Sequence, residues 1–417
     1  MRNKKIISLL LAVALFVLLV VFLSGKGNND SVGPDGRFWE IQSIDTVKYS
    51  RDVAREKAKD ASYDKVIDTQ VKLIAGAGAT HLAVGTPYDE EFVSFLTRWV
   101  TSARKYGLKI WFRGNFSGWE RWFNYEKISR DEHLNLLDEF IRANGELFEN
   151  GDIFSSCTEC ENGGPGDPRR TGDAEGHRAF LIDEYKAASA AFRAVGKNVR
   201  TLFPMNGDVA RLVMNEQTTA ALGGIVVIDH YVRNPERLSQ DIVSLAKQSE
   251  GKVVLGEFGA PIPDIHGTFT QSQQAEWVDG ALAEISKNPK LIGVNYWTSF
   301  GSSTNIWNAD GTSREVAAVI AKYYSPSVVS ATVKDEAGQA IEAARVTLGP
   351  RSTLTDKSGG FLMPVVESDS LLEIKAAGYE DKEVSLAAGQ KTTVHLTKVD
   401  ENLLFRIRKL IYLSFSK

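Results

Sequence analysis

The chain predicts an α/β protein: a (β/α)8 TIM barrel followed by a small all-β sandwich, with an N-terminal transmembrane helix ahead of both. Short apolar runs closed by Gly or Pro alternate with longer stretches of helical spacing through residues 37–325. That is the pattern of parallel strands joined by crossover helices. Through residues 326–399 the period shortens to alternating apolar and polar positions between turn signals such as DEAG and TDKSGG, as in a sandwich of short strands. At the start, Ile6–Leu23 is apolar except for Ser8 and follows Arg2, Lys4 and Lys5.

The elements follow in order. Phe38–Ser43 is the first predicted strand and Asp64–Leu73 the first predicted helix. Thr80–Val84, closed by Gly85 and Pro87, is the second strand, and Glu90–Lys105 the second helix. Lys109–Arg113 and Ile153–Cys157 are the third and fourth strands, each followed by a helical stretch, Asp131–Leu147 and His177–Ala194. Val199–Phe203 and Ile225–Ile228 are the fifth and sixth, with helices over Val209–Leu222 and Pro235–Gln248. Val253–Leu255, bounded by Gly251 and Gly256, is the seventh, and Ser272–Ser286 its helix. Leu291–Tyr296 is the eighth, closed by Ser313–Tyr323. Eight regular alternations match a barrel; an open doubly wound sheet, the alternative, seldom has so many.

Composition limits the function classes. The formal charge of −4 is made of dispersed charges of both signs, so no polyanion-binding surface is implied and nucleic acid is not an expected partner. Ile6–Leu23 approaches the ~20 residues that cross a bilayer, and no A-x-A cleavage site follows it. Residues 1–24 are therefore expected to anchor the chain in a membrane, with the rest extracytoplasmic; a cleaved signal is the alternative, giving a secreted protein. Residues 25–36, rich in Gly, Asn and Asp, form a tether. Cys157 and Cys160, the two cysteines, make one CxxC. A disulfide fits an extracytoplasmic site, whereas no second CxxC or HxxxH completes a closed zinc site.

A carboxylate at the C-terminal end of a buried parallel strand sits where barrels keep their chemistry. Glu257 follows the seventh strand, and Glu159 and Glu161 follow the fourth. The same rim receives Asp45, Lys48, Arg51 and Asp52 after the first strand, and Tyr88 and Asp89 after the second. Arg113 and Asn115 follow the third with Trp119 and Trp122 beyond, Asn206 the fifth, Asp229, His230 and Tyr231 the sixth, and Trp297 the eighth. Carboxylates, amides and indole faces together suit a sugar, whose ring stacks on aromatics while its hydroxyls need donors and acceptors. Cleaving a glycosidic bond takes two carboxyl groups flanking it, and the ends of strands four and seven can face one substrate. Tyr231 is placed to orient Glu257. His230 is either a supporting residue or a satisfied structural histidine. Glu161 rivals Glu159, since residues two apart on a strand share a face; otherwise it pairs with Arg169 or Arg170.

Glu257-Phe258-Gly259, His230-Tyr231, Trp297 and Glu159 in Thr158-Glu159-Cys160 together resemble the retaining (β/α)8 glycoside hydrolases of clan A, of the cellulase and mannanase type. The resemblance spans roughly residues 36–326. It implies Glu257 as nucleophile, Glu159 as acid/base, and Arg113, Asn115, Glu161, Asn206, His230, Tyr231 and Trp297 as substrate-binding residues. It implies an oligo- or polysaccharide substrate and no cofactor. Thr158 stands where that family has Asn, and His81 stands on strand two where the cellulases often have Arg. The competing class is a non-catalytic glycan-binding or structural protein on the same barrel. A metal-dependent hydrolase is disfavoured, because the six His show no paired spacing.

Asp335–Gly338, Ala344–Leu348, Thr355-Asp356 with Gly359, and Ala377-Gly378-Tyr379 resemble the carboxypeptidase regulatory-like, prealbumin-type domain. The resemblance implies a spacer or stabilising module with an immunoglobulin-like sandwich. Residues 400–417 mix Leu, Ile, Phe and Tyr with Arg406, Arg408 and Lys409. They read either as a basic amphipathic helix on a membrane surface or as a terminal helix docked on another domain.

Overall fold

The computed structural model describes residues 32–366 and 369–399. The expected anchor, the start of the tether and the basic tail lie outside them. Among the described residues no helix is long and apolar enough to cross a membrane. The chain divides into two compact units, Val32–Val328 and a smaller one built on Val329–Met363 and residues 369–399.

The larger unit holds nine strands: β1 (Ile41–Asp45), β2 (His81–Val84), β3 (Lys109–Phe112), β4 (Ile153–Phe154), β5 (Arg200–Thr201), β6 (Pro204–Asn206), β7 (Ile225–Asp229), β8 (Lys252–Phe258) and β9 (Leu291–Tyr296). They form one parallel, TIM-like sheet in the order β5-β4-β3-β2-β1-β9-β8-β7-β6. Its two ends, β5 and β6, are separated in the chain by Leu202 and Phe203 alone, so the sheet curls back toward itself. Ile41, Ala83, Trp111, Ile153, Leu202, Val227 and Val254 form one buried cluster, with Ile225 and Ile292 packed against it. Strands far apart in the sheet order meet there, which a flat sheet does not allow. A second, larger cluster fills the layer between sheet and helices.

Four strands of the larger unit differ from expectation by three residues or more at one end. The seventh runs on through Glu257 to Phe258, so that carboxylate sits on the strand and not after it. The first strand begins at Ile41 and not Phe38. Phe38 and Trp39 instead pack on Tyr323 and Tyr324 of the closing helix Glu315–Tyr324, and the shift puts Asp45 at the strand end. The expected fifth strand is broken and extended to Asn206, because Pro204 has no N–H to give the ladder. The fourth stops at Phe154, so Glu159 and Glu161 are not alternate residues of one strand. The predicted helix over 209–222 is likewise two, Gly207–Val213 and Glu216–Ala221, the second capped by Asn215 accepting from Thr218 N–H.

The smaller unit is all-β: a three-stranded sheet built on Ser327–Asp335, Gly360–Val365 and Lys391–Leu396, and a four-stranded sheet of Arg345–Leu348, Arg351–Leu354, Asp369–Lys375 and Lys382–Ala387. Burial alternates along Ser327–Asp335, with Val329, Ala331 and Val333 inside. Arg351–Leu354 and Gly360–Val365 lie on either side of the turn that TDKSGG signals.

Asp152 shows how neighbouring strands are tied. Its carboxylate is fully buried and accepts from Ile110 N–H (2.9 Å), Glu149 N–H (2.8 Å) and both terminal nitrogens of Arg104. Asp152→Ala removes the acceptor for all of these, and breaking such a pair from one side typically costs about 3–5 kcal/mol. The expected result is a loss of about 3 kcal/mol or more in urea unfolding.

Candidate active site

Because all nine strands run the same way, their C-terminal ends share one rim, and the predicted site residues fall there. The rim is organised by Arg113, just past β3. Its side chain, 2% exposed, pairs with three carboxylates from three strand ends: Asp45 (Nε, 3.3 Å), Asp229 (Nη2, 3.2 Å) and Glu257 (Nη2, 2.7 Å). Asp45 and Asp229 keep 1–2% exposure while Glu257 keeps 18%, so Glu257 is the member of this cluster that a bound molecule reaches. Tyr231 Oη donates to its other oxygen, Oε2, at 2.8 Å. Gly256 makes room for the cluster: a Cβ there would lie 2.4 Å from Asp229 Oδ1.

One guanidinium cannot neutralise three buried carboxylates. Burial pushes the Asp45 and Asp229 carboxyls up, Asp229 far up, against the pull of Arg113. Glu257 is pushed up to about 7, by burial first and then by the charges of Glu159 and Asp45, while Arg113 and Tyr231 oppose.

Glu159 stands across the pocket in a left-handed conformation (φ 50°, ψ 57°), which costs an L-residue roughly 1–2 kcal/mol. Its Oε1 accepts from Asn206 Nδ2 (2.9 Å) and its Oε2 from Asn162 Nδ2 (2.8 Å). Burial and then Glu161 raise its carboxyl above the ordinary range. Glu161, 1% exposed, accepts from Asn206 N–H (2.7 Å) and Nδ2 (3.1 Å). Of the alternative partners for Glu161, Arg169 forks onto Asp167 and reaches Glu161 only by its charge. Glu159 and Glu257 line one cavity of about 60 Å3 with Asp45, Arg51, Arg113, Glu120, Trp122 and Thr158.

Other predicted residues divide by where their side chains go. Trp297 is half-buried against Tyr231, with Lys48 Nζ 5.8 Å from its ring. His230 turns away from Glu257, its Nε2 meeting Asp241 at 2.9 Å. Trp119 is buried and stacks on Phe180, which leaves Trp122, covered by Arg51 at 4.8 Å, as the indole on the cavity. Tyr88 is buried between Ser155 O and Gly114 N–H. His81 opens β2 at the opposite end from the rim, and burial drives its pKa down to about 3. The arginine on Glu257 comes from the end of β3.

Glu120 went unnoticed in the sequence, although it is the lone acid of the loop RGNFSGWERW. Asn115 leads to it. Phe116 N–H donates to Asn115 Oδ1 (2.8 Å), and His133 Nε2 lies 3.0 Å from the same oxygen, so that nitrogen carries a hydrogen. His133 Nδ1 faces Glu184 Oε1 at 3.0 Å, and Asn115 Nδ2 is left facing Glu120 Oε1 at 3.4 Å. Burial pushes Glu120 up to about 7; Arg51 opposes and Glu159 adds to the rise. No group of His, Cys, Asp and Glu suited to a metal ion occurs among the described residues.

A TIM-like barrel with a carboxylate-rich pocket at its C-terminal rim defines the class, and solved structures it superposes on include glycoside hydrolases. The GH5_18 protein from Bifidobacterium longum subsp. longum aligns with TM-score 0.53 and 17% identity, over 72% of this chain and 85% of that one. A variant of GH5_18 from Streptomyces cattleya, in complex with Manb1-4GlcNAc, aligns with TM-score 0.52 and 14% identity, over 71% and 85%. A beta-glycosidase aligns with TM-score 0.50 and 15% identity, over 70% and 97%. At these identities the likeness is one of fold. Residues 328–398 match the family model of the carboxypeptidase regulatory-like domain. No curated protein matches the chain.

Arg113→Ala strands three buried carboxyls without their cation. It should cost about 3–5 kcal/mol, and more at pH 8 than at pH 5, because the carboxyls can take protons at the lower pH. A loss independent of pH, read from urea midpoints, contradicts the cluster's electrostatics.

Glu120→Gln tests the raised acid. Below its ordinary 4.5 Glu120 is protonated whether folded or unfolded; between 4.5 and about 7 the unfolded chain releases the proton and the folded one keeps it. Wild type should therefore lose stability relative to Glu120→Gln as pH rises through that window, and the gap should level off above it. Unfolding of both proteins at pH 4, 6 and 8 checks the sign.

Proposed function

We propose that the barrel is a retaining glycoside hydrolase acting on a β-linked glycan. The observation that carries this reading is the unequal treatment of two carboxyls on one cavity. Glu257 meets a buried guanidinium and a tyrosine hydroxyl. Glu159 takes its side-chain hydrogen bonds from two neutral amides and lies beside another acid, with Arg113 and Arg51 acting on it more weakly, without a hydrogen bond. Glu257 is pushed up to about 7 by burial and in part by the charge of Glu159; with the one shared proton on Glu159 that charge is gone, and the Arg113 cation then favours Glu257 ionised. Glu257 then attacks the anomeric carbon while Glu159 gives its proton to the departing oxygen. In the second step Glu159 takes a proton from water, which displaces Glu257.

The 60 Å3 cavity is small beside the ~300–1,000 Å3 of ordinary ligand clefts. It receives the reacting centre, and the rest of the glycan lies across the open rim by Trp122 and Trp297. The neighbours' ligand Manb1-4GlcNAc makes β-mannosides the first substrates to try. A disulfide beside the site supports an oxidising, extracytoplasmic setting, consistent with an anchor or signal in residues 1–24. The same small cavity and Thr158 also support the second reading, a glycan-binding protein without turnover.

Glu257→Gln should abolish turnover of every glycoside in a panel of β-glucans, mannans, xylans and aryl glycosides. Glu159→Ala should still be glycosylated by substrates with good leaving groups, then stall. Azide should rescue it and yield a β-glycosyl azide. Rescue of Glu161→Ala and not of Glu159→Ala reverses the acid/base assignment. Wild type that binds one glycan tightly and cleaves none decides for the binding protein.

A further inference from the structure

Cys157 and Cys160 take no part in the steps above, yet they bracket the residue that moves the proton. They form a disulfide with Cα atoms 5.1 Å apart, and both residues are at most 2% exposed. Between them lie Thr158 and Glu159. The chain leaves β4 after Ser155 N–H donates to Phe112 O, and beyond that point Glu159 N–H donates to Pro204 O of β6 at 2.8 Å.

Glu159 has φ of +50°, a conformation glutamate does not choose unaided. Relaxing to the ordinary negative φ swings Cα–Cβ away and carries the carboxyl off Asn206 and Asn162. Downstream, the loop is fixed by packing: Trp119 Nε1 donates to Cys160 O at 3.0 Å, and a Cβ at Gly163 or Gly164 would lie 2.1–2.3 Å from Trp119 atoms. Upstream, Thr158 Oγ1 donates to Arg113 O at 3.1 Å. Glu159 keeps backbone hydrogen bonds to Pro204 O and from Asn162 N–H, both 2.8 Å, and the covalent tie that spans it is the disulfide.

We propose that the Cys157–Cys160 disulfide is a positioning device for Glu159: it holds the left-handed turn that aims the carboxyl into the cavity, and so couples proton transfer to the oxidation state of the two sulfurs. The inference rests on Glu159 being the acid/base. Opening the clamp takes two electrons from a dithiol. One thiolate attacks a sulfur, the second thiol resolves the mixed disulfide, and the reductant leaves as a cyclic disulfide with Cys157 and Cys160 as thiols. Reoxidation reverses the change without touching any other residue.

The test compares leaving groups. The Cys157→Ser/Cys160→Ser double variant, shown folded by circular dichroism, is assayed on glycosides with poor and with 2,4-dinitrophenyl leaving groups. kcat/KM on the poor leaving groups should fall roughly tenfold or more, the ratio that ~1.4 kcal/mol commands. It should change little on the dinitrophenyl glycoside, whose departure needs no proton. Azide should restore part of the lost turnover in the second step. Equal losses on both substrate classes, or none on either, overturn the clamp while leaving the hydrolase standing. If the double variant does not fold, wild type treated with dithiothreitol, with its thiols counted, takes its place. It should show the same selective loss, recovered on reoxidation, and selective loss without recovery counts against the proposal. Wild type that cleaves nothing in the panel overturns the hydrolase reading and this inference with it.

Discussion

A buried guanidinium sets the terms for the whole rim. Arg113 brings together the ends of β1, β7 and β8 through Asp45, Asp229 and Glu257, and almost none of these groups except Glu257 touches solvent. Arranged this way, the charges leave the cluster short of positive charge, so protons must make up the difference. The raised Asp45 and Asp229 carboxyls follow from that shortage. The partly exposed Glu257 is held at one oxygen by the cation and at the other by Tyr231. The barrel supplies the anchor points, and the ion cluster converts them into one fixed carboxylate.

The opposite wall of the cavity is built from amides. Asn206 serves Glu159 and Glu161 at once, by its side chain and by its backbone N–H, and Asn162 takes the remaining Glu159 oxygen. Amide donors stabilise a carboxylate less than a guanidinium does, and after burial the charge of Glu159 is one of the causes that raise Glu257, so a proton on one wall eases ionisation on the other. Glu120 adds a third weakly acidic group, backed by Asn115, His133 and Glu184. The proposed double displacement needs one carboxylate charged while its partner is not, and the hydrogen-bonded guanidinium on Glu257 against the amides on Glu159 supports that division.

The sequence by itself determined the framework. Apolar runs at regular spacing mark parallel strands wherever both faces are buried, and the residue after each run falls on one rim because parallel strands share a direction. Glu257, Arg113, Asn206 and Tyr231 stand at or within three residues of the predicted strand ends, and this places them on that rim. The change to period-two alternation near residue 326 separated the smaller unit for an equally local reason.

What the tertiary structure decided were the contacts between segments far apart in the chain. Nothing local pairs Arg113 with Asp229, 116 residues away, or sends His230 to Asp241 and not to Glu257. Trp119 and Trp122 look alike in sequence, but a neighbouring helix bearing Phe180 buries one and leaves the other on the cavity. The fourth strand ends at Phe154, ahead of the disulfide loop, and so Glu159 and Glu161 do not alternate along one strand. Strand periodicity records burial, a property of each segment. Ion pairs, ring stacking and the direction of a side chain depend on which distant segment the fold brings alongside.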